Sequence, residues 1–176
     1  QTNPVIFSDS FVYCLTNLSI TLNKIGLLEE AVQVGNDAVL ILRNNYKKDV
    51  QFSSGQMAKN LTNLAVMHKD LGRLEEALKF ALESVDFCNK NSPDQLEIGT
   101  EDLARCLNNL GLILSDLYRP YEALKVLKQA EVLYRAIYKI QPDVFIADLA
   151  TILNNLALRL ADLNRYEEGL QMSLES

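Results

Sequence analysis

The sequence predicts an all-α chain, an α-solenoid of stacked antiparallel helix pairs, on three observations. Asparagines and leucines recur at a fixed step of 46 residues, as Asn17, Asn63, Asn109 and Asn155 and as Leu15, Leu61, Leu107 and Leu153. Between the recurring positions the apolar residues fall at helical spacing, with no strand-like alternation. Small residues hold fixed columns among the leucines, as two helices require where their axes approach.

The step divides the chain into units at about 5–50, 51–96, 97–142 and 143–176, a single array whose last unit is truncated. Leu18, Leu64, Leu110 and Leu156 share a column, as do Glu30, Glu76, Glu122 and Glu168, and no insertion breaks the register. The first helix of unit one is expected from Asp9 to Ile25, and the turn at Gly26. The motif "DLGR" (Asp70–Arg73) marks the same turn in unit two, and Tyr118 and Asn164 replace the glycine later. Each second helix is expected to open with the recurring glutamate, whose charge suits a helix N-terminus. These helices should run to about Asn45, Asn91 and Tyr138. The stretches "NSPDQ" (Asn91–Gln95) and "IQPD" (Ile140–Asp143) read as connections in which proline stops a helix.

Ser19, Ala65, Gly111 and Ala157 form the small column of the first helix. Ala31, Ala77, Ala123 and Gly169 form one on the second helix, and Ala38, Ser84, Ala130 and Ser176 another. One helix pair cannot bury its own apolar face, so the units must stack. No polar helix caps Phe11 or the last unit, so end-to-end homo-association or a longer parent chain is expected.

Composition narrows the function. The chain has 176 residues, 48% of them apolar, which is enough for a sizeable core. A net charge of −6 and a pI near 4.8 argue against a nucleic-acid partner. The longest apolar runs fall short of a membrane span, and no signal-peptide layout opens the chain, so no membrane partner is expected. Cys14, Cys88 and Cys106 form no C-x-x-C, which suits a reduced, cytoplasmic chain. The sequons at Asn17 and Asn60 sit inside helical patterns and read as chance matches. No phosphate loop, metal-ligand spacing, nucleophile elbow or paired-acid motif occurs, so neither an enzyme nor a cofactor is expected.

These columns resemble the tetratricopeptide repeat, in which the first helix carries a bulky residue, then leucine, then a small residue. An alanine follows the turn, and another small residue lies later in the second helix. Leu15, Leu18, Ser19, Ala31 and Ala38 fill those places in unit one. Leucine stands where the family prefers tryptophan, Leu22, His68, Leu114 and Leu160 fill the tyrosine column, and Gly35, Ala81, Leu127 and Ser173 the phenylalanine column. The unit exceeds the common length of about 34 residues. It is most similar to the longer repeats of kinesin light chains and of fungal or bacterial signalling proteins. The resemblance implies a right-handed superhelix whose first helices line a concave, peptide-binding face. It is also compatible with a regulatory arm of a larger signalling enzyme, of the nucleotide-switch or caspase-like protease kind, with catalysis outside this chain, or with a self-association module.

On that geometry Asn17, Asn63, Asn109 and Asn155 form a ladder along the groove. A primary amide both donates and accepts, matching the two polar groups of a peptide unit. Helices about 8–10 Å apart and a ligand rising about 3.3 Å per residue would bring each rung to about every third ligand residue. The same amides could instead bond between first helices or to their own turn, holding register without a ligand. Specificity is expected from the column of Tyr13, Lys59, Arg105 and Thr151 and from that of Thr16, Thr62, Asn108 and Asn154. Lys59 and Arg105 suit carboxylates of an acidic protein or peptide partner, or else belong to a solvated edge of local ion pairs. Asp70, Asp116 and Asp162 are expected to pair with Arg73, Arg119 and Arg165 at i,i+3. His68 is expected to be a packed or groove-edge residue rather than a catalyst.

Overall fold

The computed structural model describes residues 4–46, 54–91 and 100–175. Among them every element is a helix: α1 (Pro4–Lys24), α2 (Leu28–Tyr46), α3 (Ser54–Asp70), α4 (Leu74–Asn91), α5 (Thr100–Asp116), α6 (Pro120–Ile140), α7 (Pro142–Asp162) and α8 (Tyr166–Glu175). The helices group into two compact units, Gln1–Asn91 with α1 to α4 and Ser92–Ser176 with α5 to α8.

Each first helix ends the same way. Gly26, Gly72, Tyr118 and Asn164 adopt φ values of 84°, 73°, 57° and 59°. The N–H of the next residue then reaches back to close the turn, Leu27 to the Leu22 carbonyl, Arg73 to His68, Arg119 to Leu114 and Arg165 to Leu160, at 2.8 to 3.0 Å. This closure satisfies carbonyls that the helix end would leave unpaired. Glycine enters the left-handed region without steric cost, whereas Tyr118 does so at about 1–2 kcal/mol. Its ring is 93% exposed, so little packing offsets that cost.

In the first unit α1 packs on α2, α2 on α3 and α3 on α4. Val12, Val39, Leu42, Met57, Leu61 and Leu64 form the centre of its core. In the second unit α5 packs on α6, α6 on α7 and α7 on α8, around Leu110, Ile113, Leu127, Leu153 and Leu156. The small columns lie where expected. Ala31, Ala77 and Ala123 have no exposed surface, nor do Ala38, Ser84 and Ala130, and Gly169 is buried; Ser176 lies outside the described residues. The buried hydroxyls of Ser19 and Ser84 donate to the Thr16 and Ala81 carbonyls, so neither is left unsatisfied.

Steric complementarity explains the one large residue in a small column. Leu127 stands in the column of Gly35, Ala81 and Ser173, and it lies against Gly111. A Cβ on Gly111 would sit 2.5 Å from Leu127 Cδ2, which is closer than van der Waals contact permits. Gly35 is confined in the same manner, with Leu64 Cδ2 2.8 Å from where its Cβ would be.

Three kinds of boundary differ from expectation. α1 begins at Pro4 rather than Asp9, and each second helix begins two residues before the recurring glutamate, which therefore sits in the first turn. "IQPD" is not a connection: Gln141 alone separates α6 from α7, and Pro142 is the first residue of α7. Proline suits a helix start because its missing N–H would be unpaired there and its φ is already helical. Also contrary to expectation, α7 is long and apolar enough, by length and composition alone, to cross a membrane. In the fold its Leu149, Leu153, Leu156 and Leu160 are buried, and the helix packs on α6 and α8.

Burial of the alanine column fixes an expected order of stability effects. Ala77→Leu should cost about 1–3 kcal/mol by overpacking the α3–α4 junction. Exposed Lys79→Gln should stay within about 0.5 kcal/mol of the parent chain. Urea or thermal melts that rank the two in reverse would contradict the column assignment.

Candidate peptide-binding face

Residues four apart lie on one face of a helix, and the recurring polar positions use that spacing. On α1, Tyr13 and Asn17 are exposed; on α3, Lys59 is exposed and Asn63 half-buried. On α5, Arg105 and Asn109 are both half-buried, and on α7 exposed Thr151 precedes half-buried Asn155. Asn108 is half-buried and Asn154 exposed. The expected site residues therefore stand on corresponding faces of the four first helices.

Their amides are engaged unequally. Asn109 Nδ2 donates to the Arg105 carbonyl at 3.0 Å, back into its own helix. Asn155 Nδ2 donates across to Asn108 Oδ1 at 2.9 Å, tying α7 to α5. Among the described residues the side chains of Asn17, Asn63 and Asn154 have no hydrogen-bond partner. So one rung bonds to its own helix, one bridges two helices, and two leave their amides unused.

The first unit builds its bridge from residues that the ladder does not include. The Thr16 hydroxyl lies 2.8 Å from both the Val12 carbonyl and Asn60 Oδ1, and Asn60 Nδ2 donates to the Gln56 carbonyl at 2.9 Å. Nearer the turn, Asn23 Nδ2 donates to Asp70 Oδ2 at 2.9 Å. Thr16 and Asn108 share a column, so the same position carries the α1–α3 and the α5–α7 bridge. Asn60 was not among the expected site residues; its only signal was an amide in a column otherwise held by Cys14, Cys106 and Ile152. Being 4% exposed, it is also a poor glycosylation acceptor.

The charges pair locally. Arg105 binds Glu101 at 3.4 Å and also Asp102, so its guanidinium already has two carboxylates. The expected Asp–Arg pairs across the turn do not form. Arg119 instead makes two bonds of 2.7 Å to Glu122, Arg165 binds Glu168 at 2.7 and 2.6 Å, and Arg73 reaches Glu29 of α2 at 3.0 and 2.5 Å. For Arg119 and Arg165 the reason is position: each immediately precedes a helix whose first turn carries the glutamate, so the planar guanidinium meets a carboxylate three residues on. Hydrogen bonds from Arg119 and Arg165 hold the Glu122 and Glu168 carboxyls below the usual range. Second helices are linked too, by Arg43–Glu83 and, two steps along, Arg135–Glu175, both at 2.6 Å. Such exposed pairs contribute at most about 1 kcal/mol each.

His68 is packed, as expected, and stacks on Phe80 with ring centroids 5.2 Å apart. Cys14 is exposed, Cys88 and Cys106 are buried, and no disulfide joins them among the described residues. No group of three His, Cys, Asp or Glu among the described residues could hold a metal ion.

A family model described as tetratricopeptide repeat matches residues 61–91, 103–142 and 149–176. No curated protein is significantly similar in sequence. Solved structures similar in fold include the apo form of RapI, at a TM-score of 0.73 and 17% identity over 92% of this chain. This chain spans only 40% of RapI. BtubC (BKLC) from P. vanneervenii is similar at a TM-score of 0.51 and 15% identity, over 96% of this chain and 79% of that one. PilF of Pseudomonas aeruginosa is similar at a TM-score of 0.50 and 18% identity, over 94% of this chain and 74% of that one.

The unequal engagement of the amides can be read by melting. Asn155→Ala removes a half-buried inter-helix bond and should cost about 0.5–1.5 kcal/mol. Asn63→Ala removes none and exchanges a poor helix former for the best one, so its stability should hold or rise slightly. Equal losses in the two variants would mean that Asn63 is structural as well.

Proposed function

Because the chain belongs to the tetratricopeptide repeat family, a family of protein-interaction scaffolds, we propose that its first helices bind an extended segment of a protein partner. The observation that carries this reading is the amide of Asn63: half-buried, without a hydrogen-bond partner among the described residues, and one turn from exposed Lys59. A half-buried donor and acceptor left unused in the folded chain suit a peptide unit, which supplies one of each. Asn17, exposed on α1 beside Tyr13, offers a second amide of the same kind. Asn109 and Asn155 contribute by fixing the polar faces of α5 and α7, and a ligand would have to replace their present bonds to use them.

Acidic side chains on the partner suit the two cations of this face, Lys59 and Arg105. At Arg105 they compete with Glu101 and Asp102, so this arginine contributes less than its charge suggests.

Self-association is the second reading, favoured by two breaks in otherwise buried columns. Leu18 is 47% exposed although Leu64 and Leu156 are buried, and Leu170 is 62% exposed although Val32 and Leu124 are buried.

Selection of peptides from a random library against the whole chain tests both readings. For a selected peptide, Asn63→Ala should raise Kd about 5- to 150-fold, the equivalent of about 1–3 kcal/mol for ligand groups left unpaired, and Lys79→Gln should not change it. Peptides indifferent to Asn63 and Lys59 would contradict binding on this face. A sedimentation mass that rises with concentration in the absence of peptide would favour self-association instead.

A further inference from the structure

His68 is the one histidine in the sequence, and it occupies a column of leucines. Leu114 and Leu160, its counterparts on α5 and α7, are 4% and 2% exposed; His68 is 7% exposed on α3. Neither of its ring nitrogens has a hydrogen-bond partner among the described residues. Its ring lies nearly parallel to Phe80 of α4, at 22°. An imidazole with both nitrogens unpaired in an apolar junction behaves as an apolar filler only while it is neutral.

We propose that His68 makes the α3–α4 junction proton-sensitive: neutral, it packs as the column's leucines do, and protonated, it must leave the junction for water. The charged groups facing it are Arg73 in the turn, Glu76 in the first turn of α4 and Glu29 on α2; α1 adds none among the described residues. Arg73 opposes a second positive charge. Glu76 and Glu29 favour one, but the Glu29 carboxylate already accepts two bonds from Arg73. Burial and Arg73 therefore prevail, and they hold the His68 ring below the ordinary histidine range.

The direction of the pH dependence follows. A histidine whose folded affinity for protons is lowered leaves the unfolded chain to take up a proton first as the pH falls through about 6.5. The stability it supports is present above that value and lost progressively below it. α3 also carries Lys59 and Asn63, so acidification would loosen the proposed binding helix; that consequence rests on the proposed function, whereas the test below reads the fold alone.

With a single histidine, NMR of the whole chain labelled in histidine shows one imidazole, whose titration belongs to His68 without assignment. Its midpoint in the folded protein should lie below 6.5, or protonation should coincide with loss of folded signals. In parallel, lowering the pH from about 7.5 to 5.5 should reduce the melting temperature of the parent chain about 2–4 °C more than that of His68→Leu, which restores the column residue. A folded-state midpoint at or above 6.5 would overturn the proposal, as would equal acid losses in the two chains. The imidazole titration decides the matter on the parent chain even if the variant folds poorly.

Discussion

Two helices can approach closely only where the side chains between them are small, and the helix pairs described within each unit obey that limit. Ala31, Ala77 and Ala123 are wholly buried beside the turns, and Ala38, Ser84 and Ala130 one stretch further along. The leucines above and below fill the volume that this approach leaves. The constraint acts on pairs of positions rather than on single ones. Leu127 is tolerated in a small column because glycine, not alanine, stands opposite at position 111. With the spacing fixed, each first helix can present leucines to its neighbours and polar residues on another face.

The fold uses that polar face unequally. Part of it holds first helices in register, through Thr16 with Asn60 and Asn108 with Asn155. Bonds of this kind are worth about 1 kcal/mol each, but they also remove the cost of leaving a partly buried amide unpaired. The remainder, the side-chain amides of Asn17 and Asn63, has hydrogen-bonding capacity that the described residues do not use. A repeated face can divide the labour in this way because the backbone repeats while individual side chains drift. The same drift places a titratable ring in a leucine column at His68.

The fold was legible in the sequence because translation by 46 residues reveals a position even where the residue type changes. Tyr118 is a poor turn signal alone, yet its column placed it, with Asn164, at the turn, and both adopt left-handed φ there. Local signs without that support were weaker. Pro142 can end one helix or begin the next, and nothing in "IQPD" distinguishes the two; the structure begins α7 with it. Arginine at the turn had acids within reach on both sides, and its position just ahead of a helix N-terminus selected the glutamate for Arg119 and Arg165. The candidate face was legible as a set of positions but not as a set of bonds. Whether an amide turns to its own carbonyl, as Asn109 does, or to the adjacent helix, as Asn155 does, depends on lateral offsets that no single helix encodes.

Paired small and large residues set how closely the helices pack, and a double-mutant cycle at Gly111 and Leu127 measures this directly. Gly111→Ala improves helix propensity by about 1 kcal/mol, yet in the parent chain it should be destabilising, because the new methyl meets Leu127 at 2.5 Å. In a Leu127→Ala background, where alanine faces alanine as at positions 65 and 81, the same substitution should become neutral or stabilising. The account predicts a coupling of at least about 1 kcal/mol between the two sites. Additive effects, with Gly111→Ala costing the same in both backgrounds, would contradict it.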